Sequence, residues 1–153
     1  MAQTTKTQKT PRVRVAAIAM RGHLLHQMLV PFSVAYFIAA LVTDLAYWRS
    51  ALVMWERFSV WLIAAGLVIA GLAILTALVD LLRGRQRPAW GLALTYVAAV
   101  VLSLFNVFIH SRDGYTAVVP AGLTLSAIVT ILLLSVVGSG WSLTYRYRAG
   151  ASK

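Results

Sequence analysis

Phe58–Val79 reads FSVWLIAAGLVIAGLAILTALV, a stretch with no charge and no proline. At about 1.5 Å of rise per residue it would extend roughly 33 Å as a helix, enough to cross a hydrocarbon core of about 30 Å. Working outward, Gly22–Thr43 lies upstream, and Pro88–Ser111 and Gly114–Tyr145 lie downstream. None of these three contains a charged residue. Each is long enough to span, so the reading is an all-α, integral membrane four-helix bundle.

Composition agrees. The chain is 60% hydrophobic and 12% charged, with a mean hydropathy of +0.79. Soluble domains carry about 25% charged residues. With 153 residues, four spans and their connections use nearly the whole sequence. The expected organisation is a basic N-terminal segment over 1–21, disordered or lying on the surface, a transmembrane domain over 22–148, and a tail over 149–153. The helices are expected over about 26–48, 58–82, 89–110 and 118–141. Pro11–Met20, which mixes Arg with Val, Ala and Ile, suits a short amphipathic surface segment. The apolar run Met28–Trp48 is longer than the core of a signal peptide and carries Asp44, so it is read as a retained first helix.

The net charge is +10, but the cations gather at the membrane edges rather than on one face. Anionic lipid headgroups of the bilayer suit them better than nucleic acid. Lys6, Lys9, Arg12, Arg14, Arg21, Arg83, Arg85, Arg87, Arg146, Arg148 and Lys153 fall on one side, and only Arg49, Arg57 and Arg112 on the other. Positive charge marks the cytoplasmic side, so both termini of this multi-pass chain are expected in the cytoplasm. Cysteine is absent, which excludes disulfides, thiolate metal sites and cysteine nucleophiles.

In lipid, helices associate through close packing of small residues. Residues of this kind at spacings of four point to the contact faces: Gly91, Thr95, Ala99 and Ser103 in the third helix; Gly122, Ser126, Thr130 and then Gly138 in the fourth; Gly66 with Ala70, and Ala73 with Ala77, in the second. They imply a tight bundle.

Two polar layers stand out. Asp44 lies about 24 Å from the inner start of the first helix, and Asn106 lies at about the same depth in the third. His110 follows one turn later on the Asn106 face, with Arg112 just beyond. The outer polar cluster is therefore Asp44, Asn106, His110 and Arg112. Ionisable groups inside a membrane are costly and often functional; equally, the cluster can simply tie the first helix to the third. The inner polar cluster is His23, His26, Asp80 and Arg83, with Gln27 and Arg146 at similar depth. Interfacial histidines usually bond headgroups or backbone, so no metal is assigned. Glu56 and Asp113 are read as lying in exposed outer connections.

Haem would need facing histidines. His23 and His26 lie at one end and His110 at the other, about 25–30 Å apart along the bundle. No pair from different helices brackets one iron within a monomer. No phosphate-binding glycine loop, HExxH or Ser–His–Asp set is present, so neither an enzyme nor a bound cofactor is expected.

The segment Leu25–His26–Gln27–Met28–Leu29–Val30–Pro31–Phe32, followed by Asp44, resembles the first helix of a bacterial family of predicted membrane proteins, domain of unknown function 2231. Matches continue through Ala77–Leu78–Val79–Asp80, Asn106–Val107–Phe108–Ile109 with Arg112–Asp113–Gly114, and Ser139–Gly140–Trp141 with Tyr145–Arg146. The resemblance covers Gly22–Arg148. Gln27 stands where the family has proline, Thr95 or Tyr96 near an expected histidine, and Ser142–Leu143–Thr144 where a glycine-rich acidic ending is usual. A histidine-based site in the family would thus be lost here. Relatives beside or fused to redox domains imply a respiratory context. The leading expectation is a non-enzymatic scaffold or accessory subunit, partnered by a second copy or another membrane subunit. The alternatives are a redox-associated subunit binding haem or quinone, and a small transporter or proton pathway using the outer cluster.

Overall fold

A computed structural model describes the backbone of residues 11–84, 89–112 and 118–150, and the side chains of 28–84, 89–112 and 118–139. Four helices account for nearly all of it: α1 (Pro11–Ser50), α2 (Val53–Leu82), α3 (Trp90–His110) and α4 (Leu123–Gly150). All four contain apolar spans long enough to cross a membrane: Met28–Ser50, Val53–Leu82, Trp90–His110 and Val118–Ser139. The main contacts run α1–α2, α2–α3, α3–α4 and α4–α1, so each helix packs against its two neighbours in a square.

The buried faces follow alternating steps of three and four. In α2 the face is Glu56, Ser59, Ile63, Gly66, Ala70 and Ala73. In α3 it is Tyr96, Ala99, Ser103, Asn106 and His110. This spacing keeps one stripe toward a neighbour inclined at a shallow angle. Val34, Phe37, Ala40, Ile63, Ala70, Tyr96, Ala99, Val129 and Leu133 form the apolar core. Outward-facing Trp61, Leu72, Phe105 and Ile131 are exposed, as lipid-facing side chains must be.

Several boundaries differ from those expected. α1 runs from Pro11 rather than from near residue 26, so residues 11–21 of the basic stretch are helix continuous with the span, while residues 1–10 lie outside the described residues. Proline suits a first helical position, and the Ala, Arg, Leu and Met that follow are good helix formers. Pro31 lies inside α1. α2 begins at Val53, five residues before the expected start, which takes Glu56 and Arg57 out of the connection and into the helix. Before α4 comes a short π-type turn, Val118–Gly122, interrupted by extended Val119 (φ −111°, ψ 126°). The extended residue precedes Pro120, whose ring disfavours helical geometry just before it.

The α1–α2 link is tight. Ala51 adopts φ 52°, the left-handed region, with its N–H donating to the Tyr47 carbonyl at 2.7 Å. Gly84 does the same job after α2 at φ 64°. Glycine adopts this geometry without the Cβ clash that alanine meets.

The ladders of small residues are only partly at contacts. Ala99, Ser103, Gly122, Ser126, Thr130, Gly66, Ala70 and Ala73 are buried, whereas Gly91 and Gly138 are exposed. A strict step of four advances about 40° around a helix each time, so a long ladder leaves the contact face.

Candidate functional site

Among the described residues, the buried ionisable side chains gather at one end of the bundle, where α1 and α3 end and α2 and α4 begin. Asp44, Glu56, Ser59 and His110 are each 0% exposed, and Asn106 and Ser126 are nearly as buried. Every helix contributes, because each of these residues continues its helix's inward stripe.

Asp44 is the hub. Its Oδ1 lies 2.9 Å from His110 Nε2, and its Oδ2 accepts a hydrogen bond from Ser126 Oγ. Ser126 Oγ in turn accepts from Asn106 Nδ2 at 2.7 Å. His110 Nδ1 lies 2.9 Å from the backbone carbonyl of Asn106. Ser59 Oγ, from α2, is 3.4 Å from both His110 Nε2 and the Ala40 carbonyl. The result is a ring through α1, α3 and α4, touched by α2.

The ring fixes its own proton count. A carbonyl can only accept, so His110 Nδ1 carries a hydrogen. One further proton lies between Nε2 and Oδ1. On His110 it makes an imidazolium beside a carboxylate; on Asp44 it makes two neutral groups. Either way the pair as a unit is electrically neutral. Both ring nitrogens are committed, so neither offers a lone pair to an iron.

Gly122 makes the close approach possible. A Cβ there would lie 2.7 Å from His110 Cε1, 3.2 Å from its Nδ1 and 3.5 Å from Asn106 Oδ1. Only glycine lets the start of α4 rest against the imidazole edge.

Two polar groups in this region have no partner: both Glu56 carboxylate oxygens and Asn106 Oδ1. Glu56 lies within electrostatic range of His110, Asp44 and Arg57. It is not in an exposed connection, contrary to the sequence reading, because α2 begins early enough to turn it inward. The signal was in the spacing: Glu56 stands seven before Ile63 and fourteen before Ala70, in register with Ser59 and Gly66.

Of the outer cluster read from the sequence, Asp44, Asn106 and His110 come together, whereas Arg112 is exposed beyond the end of α3. A position just past the Ser111 cap leaves a long cationic side chain free to reach the surface. Ser126 was read only as a packing residue, yet it bridges Asn106 and Asp44. Of the inner cluster, Arg83 is exposed and Asp80 half-buried, at the other end of α2 from Glu56. The side chains of His23 and His26 lie outside the described residues. Among the described residues, no three His, Asp or Glu side chains gather to hold a metal ion.

Four apolar helices with a buried ionisable cluster at one end define a multi-pass integral membrane protein. The chain belongs to the predicted membrane protein family DUF2231, which it matches over residues 22–153. No curated protein and no solved structure matches it.

Proposed function

We propose that this chain is a non-enzymatic accessory subunit or scaffold of the bacterial inner membrane, with both termini in the cytoplasm. One observation carries the reading: both carboxylate oxygens of Asp44 are engaged in bonds to other helices, one to His110 on α3 and one to Ser126 on α4, while the second nitrogen of His110 is held by the Asn106 carbonyl of its own helix. Groups tied into packing in this way act as a clasp. The excess of cations beside the termini and at the α2–α3 connection supports the orientation. The side of the bundle bearing the clasp would then face outward.

The test uses the purified full chain in lipid vesicles and in mild detergent. Asp44→Asn and His110→Ala should lower unfolding resistance, while wild type and variants alike show no proton or ion flux and no reduced-minus-oxidised visible signal. Flux lost in Asp44→Asn while the protein still folds would replace this reading with transport. A haem-type spectrum would replace it with a redox role.

A further inference from the structure

Glu56 is not explained by the clasp. Its side chain is 0% exposed, and neither carboxylate oxygen meets a donor. An ionised carboxylate in that state is among the costliest arrangements a bundle in lipid can hold. Something must compensate it.

The charged and titratable groups around it narrow the choice. α1 presents Asp44 and α3 presents His110, and these two together are neutral whichever holds their shared proton. On α2 itself Arg57 is adjacent and within electrostatic range of Glu56, but its side chain is exposed and no hydrogen bond reaches either Glu56 oxygen. The polar groups that α4 buries, Ser126 and Thr130, do not titrate. No cation among the described residues thus bonds the Glu56 carboxylate directly. No set of ligands for a metal ion is assembled there either. The cation that needs no cage is a proton.

We propose that Glu56 is a proton-exchange site, a buried carboxyl that takes a proton from water at the adjacent bundle end and returns it there. The step is a plain acid–base transfer: one O–H bond forms at Glu56 as one breaks in hydronium, and water is released. Position favours access. Glu56 lies in the first turn of α2, so water at the end of the bundle is about one helical turn away. Position also favours a readout, since loss of the proton places a net negative charge beside the Asp44–His110 clasp and weakens the packing of all four helices. This inference goes beyond the accessory role and does not depend on it.

Infrared difference spectroscopy tests it, on the full chain in lipid nanodiscs, across pH and between H2O and D2O. Wild type should show a carboxylic-acid carbonyl band that moves down in D2O and fades at high pH. Glu56→Gln should delete that band, and Asp44→Asn should leave it. Glu56→Asp should shift its frequency, which keeps the test open if Glu56→Gln folds poorly. At pH values above the titration of the carboxyl in the unfolded chain and below its titration in the folded chain, a proton held by the folded chain and released on unfolding raises the unfolding constant by up to about tenfold per pH unit, and Glu56→Gln should remove that slope. The proposal is overturned if wild type has no such band or if Glu56→Gln retains it. It is equally overturned if the band answers to sodium or potassium at constant pH.

Discussion

Replacing Gly122 with alanine adds one methyl group at the most crowded point of the clasp. The new Cβ would lie 2.7 Å from His110 Cε1, whereas ordinary contact begins at 3.4 Å, so one partner must move by about 0.7 Å. His110 is fully buried and held at both ring nitrogens by bonds of 2.9 Å. A retreat of that size along the bond to Asp44 would stretch it to about 3.6 Å, past hydrogen-bonding length. Overpacking of this kind costs about 1–3 kcal/mol. Weakening a buried charge-assisted bond adds about 1 kcal/mol or more. We expect Gly122→Ala to destabilise the bundle by about 2–4 kcal/mol. Gly138→Ala is the control, since it is exposed with nothing within 4 Å of its added Cβ. There the better helix propensity of alanine should leave stability equal or up to about 1 kcal/mol higher. The assay is reversible unfolding in mixed micelles, followed by circular dichroism. A Gly122→Ala protein within about 0.5 kcal/mol of wild type would refute the reasoning, because substitutions at indifferent sites fall in that range.

Three further outcomes follow from the same packing. Gly66→Ala puts a Cβ 3.0 Å from Phe37 Cε1 and 3.2 Å from Tyr36 Cβ, a milder crowding that should cost about 1–2 kcal/mol in the same unfolding assay. Ala51→Gly relieves a left-handed residue at φ 52° and should raise stability by about 1 kcal/mol. Tyr96→Phe removes the 2.7 Å bond between the Tyr96 hydroxyl and Ser33 Oγ that links α3 to α1, and should cost about 0.6 kcal/mol, with about 1.7 kcal/mol as a ceiling.

The spans were legible because lipid imposes a blunt rule: every charge near the middle of a crossing is costly, so uninterrupted apolar runs stand out. Asp44, Asn106 and His110 could be matched in depth by counting helical rise, and the structure brings these three together. The details failed where reading depended on a boundary. Two consecutive charges, Glu56 and Arg57, look like a connection, yet α2 absorbs both, one inward and one outward, because successive helical residues point about 100° apart. Arg112 follows His110 by only two residues, but that step crosses the end of α3. Ser126 was noticed for its size rather than its hydroxyl, since nothing in one sequence says which polar group a serine on α4 will face. The role of Gly122 required the position of an imidazole on another helix.

Asp44 and His110 act as one unit at the end of the bundle where α1 and α3 finish. A double-mutant cycle measures this most directly, using Asp44→Ala, His110→Ala and the pair in reversible unfolding of the full chain. Losing one partner leaves the other buried without its bond, so each single variant should cost about 3 kcal/mol or more. The double variant should cost less than the sum by at least about 1 kcal/mol. Single effects that simply add would show that the two residues do not hold each other, and would contradict the clasp.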